Sequence, residues 1–410
     1  MASNKDIEKR AETAKEKRAK YGPDLELDEY EFEDRGKGEL ENLDALSEDD
    51  RNLVREVGFD PSERQVSGSY LQMDNESILA DVMMDQEGLE VLPISKALER
   101  YDWLSDYLWN LVDIETDKYT AESALKSYDG YFIRAEPGAN IQMPVQTCLV
   151  LKRNRSIQNV HNIIIAEEGS EMHIVTGCAT PTNTERSLHL GISEFYVKPH
   201  AKLSFTMVHK WSEQTDVRPR SAALVEKHGV FLSNYAILSP LKSIQTFPKV
   251  RLNGVHAKAD LNSVVYGTKN SHYDVGGALS LEAPRANGKV LSRSIATEQS
   301  HVTARGDLIG LSDGTKARLE CDGLLLSDEA SIKAVPQLQA RAEGSELSHE
   351  ATVGKVGEEQ LSYLMSRGLD EETATSLIVS GFVHLDIPDL PDELQASIDQ
   401  AVEMSLKGGM

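Results

Sequence analysis

Three cysteines are the residues of this 410-residue chain best suited to nucleophilic or soft-metal chemistry. Cys148, Cys178 and Cys321 are 30 and 143 residues apart, so they form neither a CxxC zinc motif nor a disulfide framework. An odd number of cysteines without a close pair is typical of a reducing compartment, in which thiols stay free for chemistry. Any one of them can equally be a small buried hydrophobic residue, which is the commoner role of cysteine.

His349 and Glu350 form a second group of candidate ligands. The chain has 11 histidines, and a lone histidine is more often a hydrogen-bonded structural residue than a metal ligand. His349 differs because a carboxylate follows it directly and Cys321 lies only a short distance upstream. Thiolate, imidazole and carboxylate together form a mixed ligand set that suits iron.

The common enzyme signatures are absent from the sequence. There is no GxGxxG dinucleotide motif, no GxxxxGK[ST] phosphate loop, no GxSxG elbow and no HExxH zinc motif. We therefore do not expect this chain to hydrolyse ATP itself.

Charge and hydropathy exclude further classes. The net charge is −24, from 43 Lys and Arg against 67 Asp and Glu, which argues against binding nucleic acid phosphates. No apolar run approaches the roughly 20 residues that cross a bilayer, and the first 20 residues have no apolar core of a secretory signal. We expect a cytoplasmic protein that neither enters a membrane nor binds nucleic acid.

The elements that must position these residues are mostly short strands. From about Gly130, runs of alternating apolar and polar residues continue for over two hundred residues. Small residues recur at one phase of these runs, at Gly169, Ala201, Gly229, Ala257, Gly288, Ala330 and Gly344. Such a recurrence predicts stacked coils of a β-helix. A sandwich or jelly roll is the alternative, but it should show more hairpin signatures of the Asn-Gly or Asp-Gly kind, of which Asp313-Gly314 is a candidate.

The chain divides into four predicted regions. They are an acidic N-terminal arm at residues 1–46, partly helical or mobile; a helical domain at 47–128; a β-helix core at 129–350; and a C-terminal helical domain at 351–410. Asp24 to Asp50 holds thirteen acidic and two basic residues. In the second region, Ile94 to Leu111 has the apolar spacing of one amphipathic helix. Gly368 predicts the end of one helix, and Asp370 predicts the N-cap of the next. A last helix is predicted to begin at Pro391.

Four separated segments resemble one protein family. Ile163–Pro181, Ser292–Leu311, Leu319–Leu338 and Ser348–Phe382 resemble, in this order, segments of the SufB/SufD iron–sulfur cluster assembly proteins. The resemblance covers roughly residues 140–410. It implies a mainly β protein with a right-handed parallel β-helix between helical regions, working with a SufC-type ABC ATPase.

The resemblance also implies roles for individual residues. Cys321 stands where SufB-type proteins have an essential interface cysteine, and His349 matches a histidine common to both types. Glu350 is SufB-like, because SufB types read His-Glu-Ala-Thr here and SufD types His-Gly-Ala-Thr. Cys178 matches the SufB-type acceptor of persulfide sulfur, which then passes inside the β-helix. Cys148 matches no family position.

The departures from the SufB pattern bear on the assembly. Gly177-Cys178-Ala179-Thr180-Pro181 replaces Gly-Cys-x-Ala-Pro, Ser348 replaces a common glutamate, and the length is nearer that of SufD. A SufB-like ligand set in a short chain implies a homodimer, as in minimal archaeal-type systems. Two copies would bring two Cys321 and two Glu350 to one interface, where a transient [2Fe–2S] or [4Fe–4S] cluster forms.

Three functions follow from these patterns. The first is a scaffold that assembles and transfers an iron–sulfur cluster, with the ATPase docked on residues 357–410 and with sulfur donor and cluster acceptor proteins as further partners. The second is a SufD-like structural subunit that binds the ATPase without ligating a cluster. The third is a β-helix carbohydrate enzyme, which the spacing of acidic residues does not support.

Overall fold

Strands dominate the computed structural model, which describes residues 4–32, 43–63, 65–126 and 129–383. It is 46% strand and 18% helix. The strands are β1 Gly68–Met73, β2 Glu76–Val82, β3 Leu89–Pro93, β4 Tyr131–Ala135, β5 Val145–Val150, β6 Ile157–Ala166, β7 Glu171–Ala179, β8 Ser187–Val197, β9 Lys202–Lys210, β10 Thr215–Val217, β11 Arg220–Val225, β12 Val230–Ile237, β13 Ser243–Thr246, β14 Lys249–Leu252, β15 Lys258–Gly267, β16 His272–Leu281, β17 Asn287–Ala296, β18 His301–Gly310, β19 Lys316–Leu325, β20 Ser331–Ala340 and β21 Glu346–Lys355. The helices are α1 Asn4–Ala14, α2 Glu48–Arg55, α3 Ile94–Arg100, α4 Lys118–Leu125, α5 Glu358–Ser366 and α6 Glu371–Val383.

Two sheets together form a parallel β-solenoid of about 8 turns, and from β14 to β21 successive strands alternate strictly between them. Sheet 1 has the order β2-β1-β5-β7-β9-β12-β15-β17-β19-β21, and its pairings from β1 to β21 are parallel. Sheet 2 holds the other strands, and within it β18 and then β20 branch from β16. The prediction of stacked coils is confirmed, and the sandwich alternative is wrong because parallel neighbours need a crossover rather than a hairpin.

One turn of each coil has a residue with positive φ, followed by a small one. His200, His228 and His256 have φ of 61°, 56° and 61°. Their rings stack at 4.9 and 5.1 Å between centroids, because coils repeat in register at this edge. Cross-coil hydrogen bonds join residues 28 to 31 apart, which is the length of the repeat. The predicted phase is wrong at Gly288, which lies inside β17, and at Ala330, which precedes a strand of sheet 2 rather than of sheet 1.

Alternate side chains of each strand point into the solenoid and form one contiguous core. This core runs from Tyr70 on β1 to Cys321 on β19 and includes Cys178. We call the side of sheet 1 that faces this core the inner face and the opposite side the outer face. Because each fully buried aliphatic side chain contributes about 1.5–3 kcal/mol, the inner face supplies most of the stability of the coils.

The region at residues 47–128 is less helical than its spacing predicts. Strands β1 and β2 extend sheet 1, and β3 pairs with β4 at the edge of sheet 2. The predicted helix from Ile94 to Leu111 is α3 followed by a 3₁₀ helix at Asp102–Asp106. The apolar spacing still predicted which side of this segment is buried, since Leu98, Tyr101 and Leu104 pack with residues of sheet 2.

Residues 4–32 pack on the solenoid rather than extending from it. The Tyr30 hydroxyl donates to Asp216 at 2.6 Å. The buried Arg218 guanidinium donates to the carbonyl of Pro23 at 3.0 Å. The more acidic centre of the predicted arm, residues 33–42, lies outside the described residues, and the boundaries of the four regions stay predictions.

The C-terminal helices follow the last coil. Gly368 has φ of 96° between α5 and α6, and the Asp370 carboxylate accepts from the backbone N–H of Thr373 at 2.7 Å, so both predicted caps are confirmed. Helix α6 packs Val379 against the outer face of sheet 1. The predicted helix from Pro391 lies outside the described residues. Within the part of the chain that the structure describes, every helix is too short or too polar to span a bilayer.

Candidate sulfur and metal site

Cys321 lies on the inner face of β19, near the end of the solenoid. It is buried, with 2% of its surface exposed. Burial raises the pKa of its thiol to about 11, with smaller contributions from the neighbouring Asp322 and Glu320 carboxylates. Its partner on the last strand is Ala351, so the residue that follows Cys321 towards the end of the stack has only a methyl group.

His349 and Glu350 lie on β21, the strand that ends sheet 1. His349 pairs with Leu319 and therefore shares the inner face with Cys321, whereas Glu350 pairs with Glu320 on the outer face. The Glu350 carboxylate accepts a hydrogen bond from Arg318 at 2.7 Å. The structure thus brings Cys321 and His349 to one face of adjacent strands and directs Glu350 away from them.

Among the described residues, no element caps strands β20 and β21 at the end of the solenoid. Each of these two strands pairs with one neighbour within its sheet, so each leaves one edge of backbone N–H and C=O groups unpaired. Inward-facing apolar residues of this last coil are only half-buried, namely Ile332, Ala334, Leu338 and Leu347. We call this surface, formed by β20 and β21, the open end.

The described residues do not form a complete metal site. Among the described residues, no group of three or more His, Cys, Asp or Glu side chains is arranged to hold a metal ion. Cys321 and His349 are two donors of suitable type on one face, which amounts to part of a site.

Cys178 lies on the inner face of β7, near the other end of the solenoid. Its thiol is fully buried, and burial raises its pKa well above the ordinary range. Its register neighbours are Leu149 on β5 and His209 on β9. The thiol is therefore neutral and enclosed in this conformation.

A column of mostly polar side chains follows the inner face from the rung of Cys178 to Cys321. Its members pair in register from strand to strand, as Thr176, Met207, Tyr235, Ser263, Ser292 and Cys321. Cys178 is two residues from Thr176 on the same face. Five strand spacings of about 4.8 Å separate the rungs of the two cysteines, or about 24 Å. The buried hydroxyl of Ser292, next to Cys321, has no hydrogen-bond partner.

A buried aromatic and imidazole cluster beside Cys178 was not predicted from the sequence. His189, His209 and Trp211 are buried, with the ring centroids of His189 and Trp211 5.1 Å apart. Burial lowers the pKa of His189 to about 3 and also lowers that of His209. The available signal was the phase of β9, because His209 occupies an inward position after Phe205 and Met207.

Cys148 has a structural role. It pairs with Gly177 and therefore faces outward, on the side opposite to Cys178. It packs with Val57 and Leu71 under the segment that contains α2. The interpretation of Cys148 as a small buried hydrophobic residue is confirmed.

Comparison with known proteins identifies the family. Residues 149–382, more than half of the chain, match the family described as "SUF system FeS cluster assembly, SufBD core domain". The chain belongs to the SufBD family. The matched segment of this SufBD chain contains Cys178, Cys321, His349 and Glu350, and membership supports a role in iron–sulfur cluster assembly.

Curated relatives extend the similarity beyond the SufBD core. A protein of Methanothermobacter thermautotrophicus, named an iron-sulfur cluster assembly SufBD family protein, is 42% identical over 409 residues, which cover 98% of this chain and 99% of that protein. One of Archaeoglobus fulgidus with the same name is 42% identical over 356 residues, covering 87% and 95%. One of Pyrococcus horikoshii is 33% identical over 374 residues, covering 90% and 84%.

Proposed function

We propose that this SufBD protein is a scaffold on which an iron–sulfur cluster is assembled and then released. The observation that carries the proposal is the pair of donors on one face, with His349 at the open end and Cys321 one strand from it. A cluster held by four thiolates is held tightly, whereas one with few thiolates and weaker ligands is easier to release. A site with one cysteine per subunit meets that requirement.

The scaffold works as a homodimer that joins two open ends. The unpaired edges of β20 and β21 and the half-buried apolar residues between them support this contact, since exposed edges favour pairing with a further strand. Two copies related by a twofold axis contribute two Cys321 and two His349. The cluster is cargo, formed between the subunits and passed to an acceptor protein.

ATP hydrolysis belongs to a partner, a SufC-type ABC ATPase that docks on the C-terminal helices. Three large apolar side chains of α5 and α6 are exposed, Tyr363, Met365 and Leu377. Helices with exposed apolar side chains are a common docking element. Deleting residues 357–410 should abolish co-purification with the ATPase, and persistence of the complex would refute this docking site.

Cys178 is the acceptor of sulfur from a persulfide donor protein. The polar inner column from its rung to Cys321 supports transfer inside the solenoid over about 24 Å. In the present conformation the thiol is enclosed, so sulfur loading requires a conformational opening of the coils.

The decisive experiment is anaerobic reconstitution with ferrous iron and sulfide. The wild-type protein should gain visible absorbance and bound iron, and Cys321→Ala should lose most of both because the thiolate ligand is gone. Cys148→Ala is the matched control, since Cys148 packs on the outer face. Equal iron content in wild type and Cys321→Ala, with both variants folded by circular dichroism, would reject the scaffold.

One observation favours the second candidate, a SufD-like structural subunit. Glu350 points away from Cys321 and is paired with Arg318, so the SufB-like carboxylate is engaged elsewhere in a single subunit. This candidate predicts ATPase binding without iron binding. The same reconstitution, performed together with the co-purification, separates the two functions.

A further inference from the structure

Sulfur transfer to Cys178 creates a charge that the solenoid core must accommodate. When the coils open, the neutral Cys178 thiol releases its proton to water. The resulting thiolate attacks the outer sulfur of a donor persulfide, R–S–S⁻, and the donor leaves as the thiolate R–S⁻. The products are Cys178–S–S⁻ and R–S⁻, so no external oxidant or reductant is needed. An anion in an apolar core is costly unless a hydrogen-bond donor faces it. The question is which group near Cys178 supplies that donor.

His209 is the polar side chain closest to Cys178 in register. The two residues pair directly on the parallel strands β7 and β9, with both side chains on the inner face. Such neighbours are separated by about 4.8 Å, which is within reach of a sulfur atom added to the thiol. Both side chains are buried, with 0% of Cys178 and 2% of His209 exposed.

The hydrogen bonding of His209 defines which ring nitrogen carries the proton. The indole Nε1–H of Trp211 donates to Nδ1 of His209, and an indole nitrogen can only donate. Nδ1 is therefore unprotonated. Because burial lowers the pKa of His209, the ring is neutral and its single proton is on Nε2. Nε2 is buried and has no hydrogen-bond partner in the structure. An unpaired buried donor costs about 1–3 kcal/mol, so it needs an explanation.

Space for one additional atom exists beside this donor. A partly enclosed cavity of about 50 Å³ lies inside the solenoid. Cys178 does not line it, but both register neighbours of Cys178 do, namely Leu149 and His209. His189 also lines the cavity, but its Nδ1 is already paired with the Gln158 side chain at 2.8 Å.

We propose that the Nε2–H of His209 donates a hydrogen bond to the terminal sulfur of a Cys178 persulfide, and that Trp211 holds the ring in the required tautomer. The inference rests on the proposed role of Cys178 as sulfur acceptor. His209 binds the transferred sulfur, and Trp211 is a positioning residue. An apolar core is otherwise unfavourable to anions. His209 and Trp211 together allow this core to hold the persulfide anion.

The test compares three variants of the full-length protein after treatment with glutathione persulfide. The terminal sulfur is alkylated at a series of pH values, and the modified peptide containing Cys178 is quantified by mass spectrometry. In His209→Leu the persulfide pKa should rise by about one to two units, since a hydrogen bond to a charged group contributes about 1.5–3 kcal/mol. His209→Gln keeps an N–H donor and should retain most of the wild-type behaviour. Trp211→Phe should give an intermediate shift.

A second measurement needs no sulfur loading. Nitrogen-15 NMR of the resting protein should show His209 with Nδ1 unprotonated in the wild type, and a mixture of tautomers in Trp211→Phe. A wild-type ring protonated on Nδ1 would overturn the inference.

The outcomes separate this inference from the proposed function. If wild-type Cys178 takes up no sulfur, the acceptor role and the inference both fail. If it takes up sulfur and His209→Leu, shown to be folded, has an unchanged persulfide pKa, only the inference fails.

Discussion

The surroundings of Cys178 and Cys321 differ although both side chains belong to the same inner face and the same core. Cys178 is enclosed by coils on both sides and lies beside aromatic and imidazole rings. Cys321 is one strand from the open end, where the next residue in register is Ala351. One solenoid thus buries both thiols, but Cys178 has coils on both sides whereas a single strand separates Cys321 from the open end. The position along the stack, rather than the local strand, determines which chemistry each thiol can perform.

The largest expected effect distinguishes the source of sulfur. Cys178→Ser should nearly abolish cluster assembly from a persulfide donor and leave reconstitution from free sulfide unchanged, because only the first route needs an acceptor thiol. Visible absorbance under the two conditions measures this. Cys148→Ala is the control for loss of an outward-facing cysteine. An equal loss of absorbance in both assays for Cys178→Ser would contradict the distinction between the two cysteine regions.

The next effect concerns thiol reactivity in the native protein. At pH 8 Cys321 should react with iodoacetamide at least about tenfold faster than Cys178, because the pKa of Cys178 is raised further and the thiolate is the reactive form. Peptide mass spectrometry gives both rates from one sample. Dimer formation through the open end should slow the labelling of Cys321 alone. Equal rates would mean that the two environments do not differ in solution.

A pH effect should arise from the enclosed region. Burial lowers the pKa of His189 to about 3, against about 6.5 in an unfolded chain. Between these values the unfolded state binds a proton that the folded state does not, so stability falls as the pH falls from about 6.5 towards 3. Each such histidine contributes a slope of about 1.4 kcal/mol per pH unit. Urea unfolding from pH 7 to 5 should show a shallower slope in His189→Asn, and an unchanged slope would contradict the assignment.

The smallest effect concerns the outer face near Cys321. Glu350→Gln breaks an exposed ion pair with Arg318 and should change the free energy of unfolding by less than about 1 kcal/mol. A loss of bound iron in this variant would therefore report ligation rather than misfolding, and would show that Glu350 reaches the cluster in the dimer. Glu346→Gln is the control, since Glu346 forms a similar exposed pair with Lys316 on the same strand.

The sequence predicts the repeat of the coils better than it predicts which face of a strand each side chain occupies. Ala201, Gly229 and Ala257 lie at equivalent turns as expected, because a positive φ followed by a small residue recurs there. The strands between 68 and 93 were missed, since each is short and since β1 and β3 join the sheets through distant partners, β5 and β4. Glu350 was grouped with Cys321 by proximity in sequence, but the register of β21 directs it to the opposite face. Register depends on pairing across coils, which no local pattern contains.

His209 shows a different limit. Its polar side chain interrupts an inward series of apolar residues on β9, which is a readable signal. Its meaning depends on Trp211 two residues later and on Cys178 about 30 residues earlier, which only the coiling brings together.

In the part of the chain that the structure describes, the last coil has no cap, which affects the stability of a single copy of the protein. A solenoid gains stability from contacts between neighbouring coils, so a terminal coil with one neighbour is its weakest part. Amide hydrogen exchange in β20 and β21 should therefore be faster than in β7 and β9, and it should slow as the protein concentration rises, because association binds only the ordered form of that coil. Dilution would loosen the strands beside Cys321 first, while the coils around Cys178 stay closed.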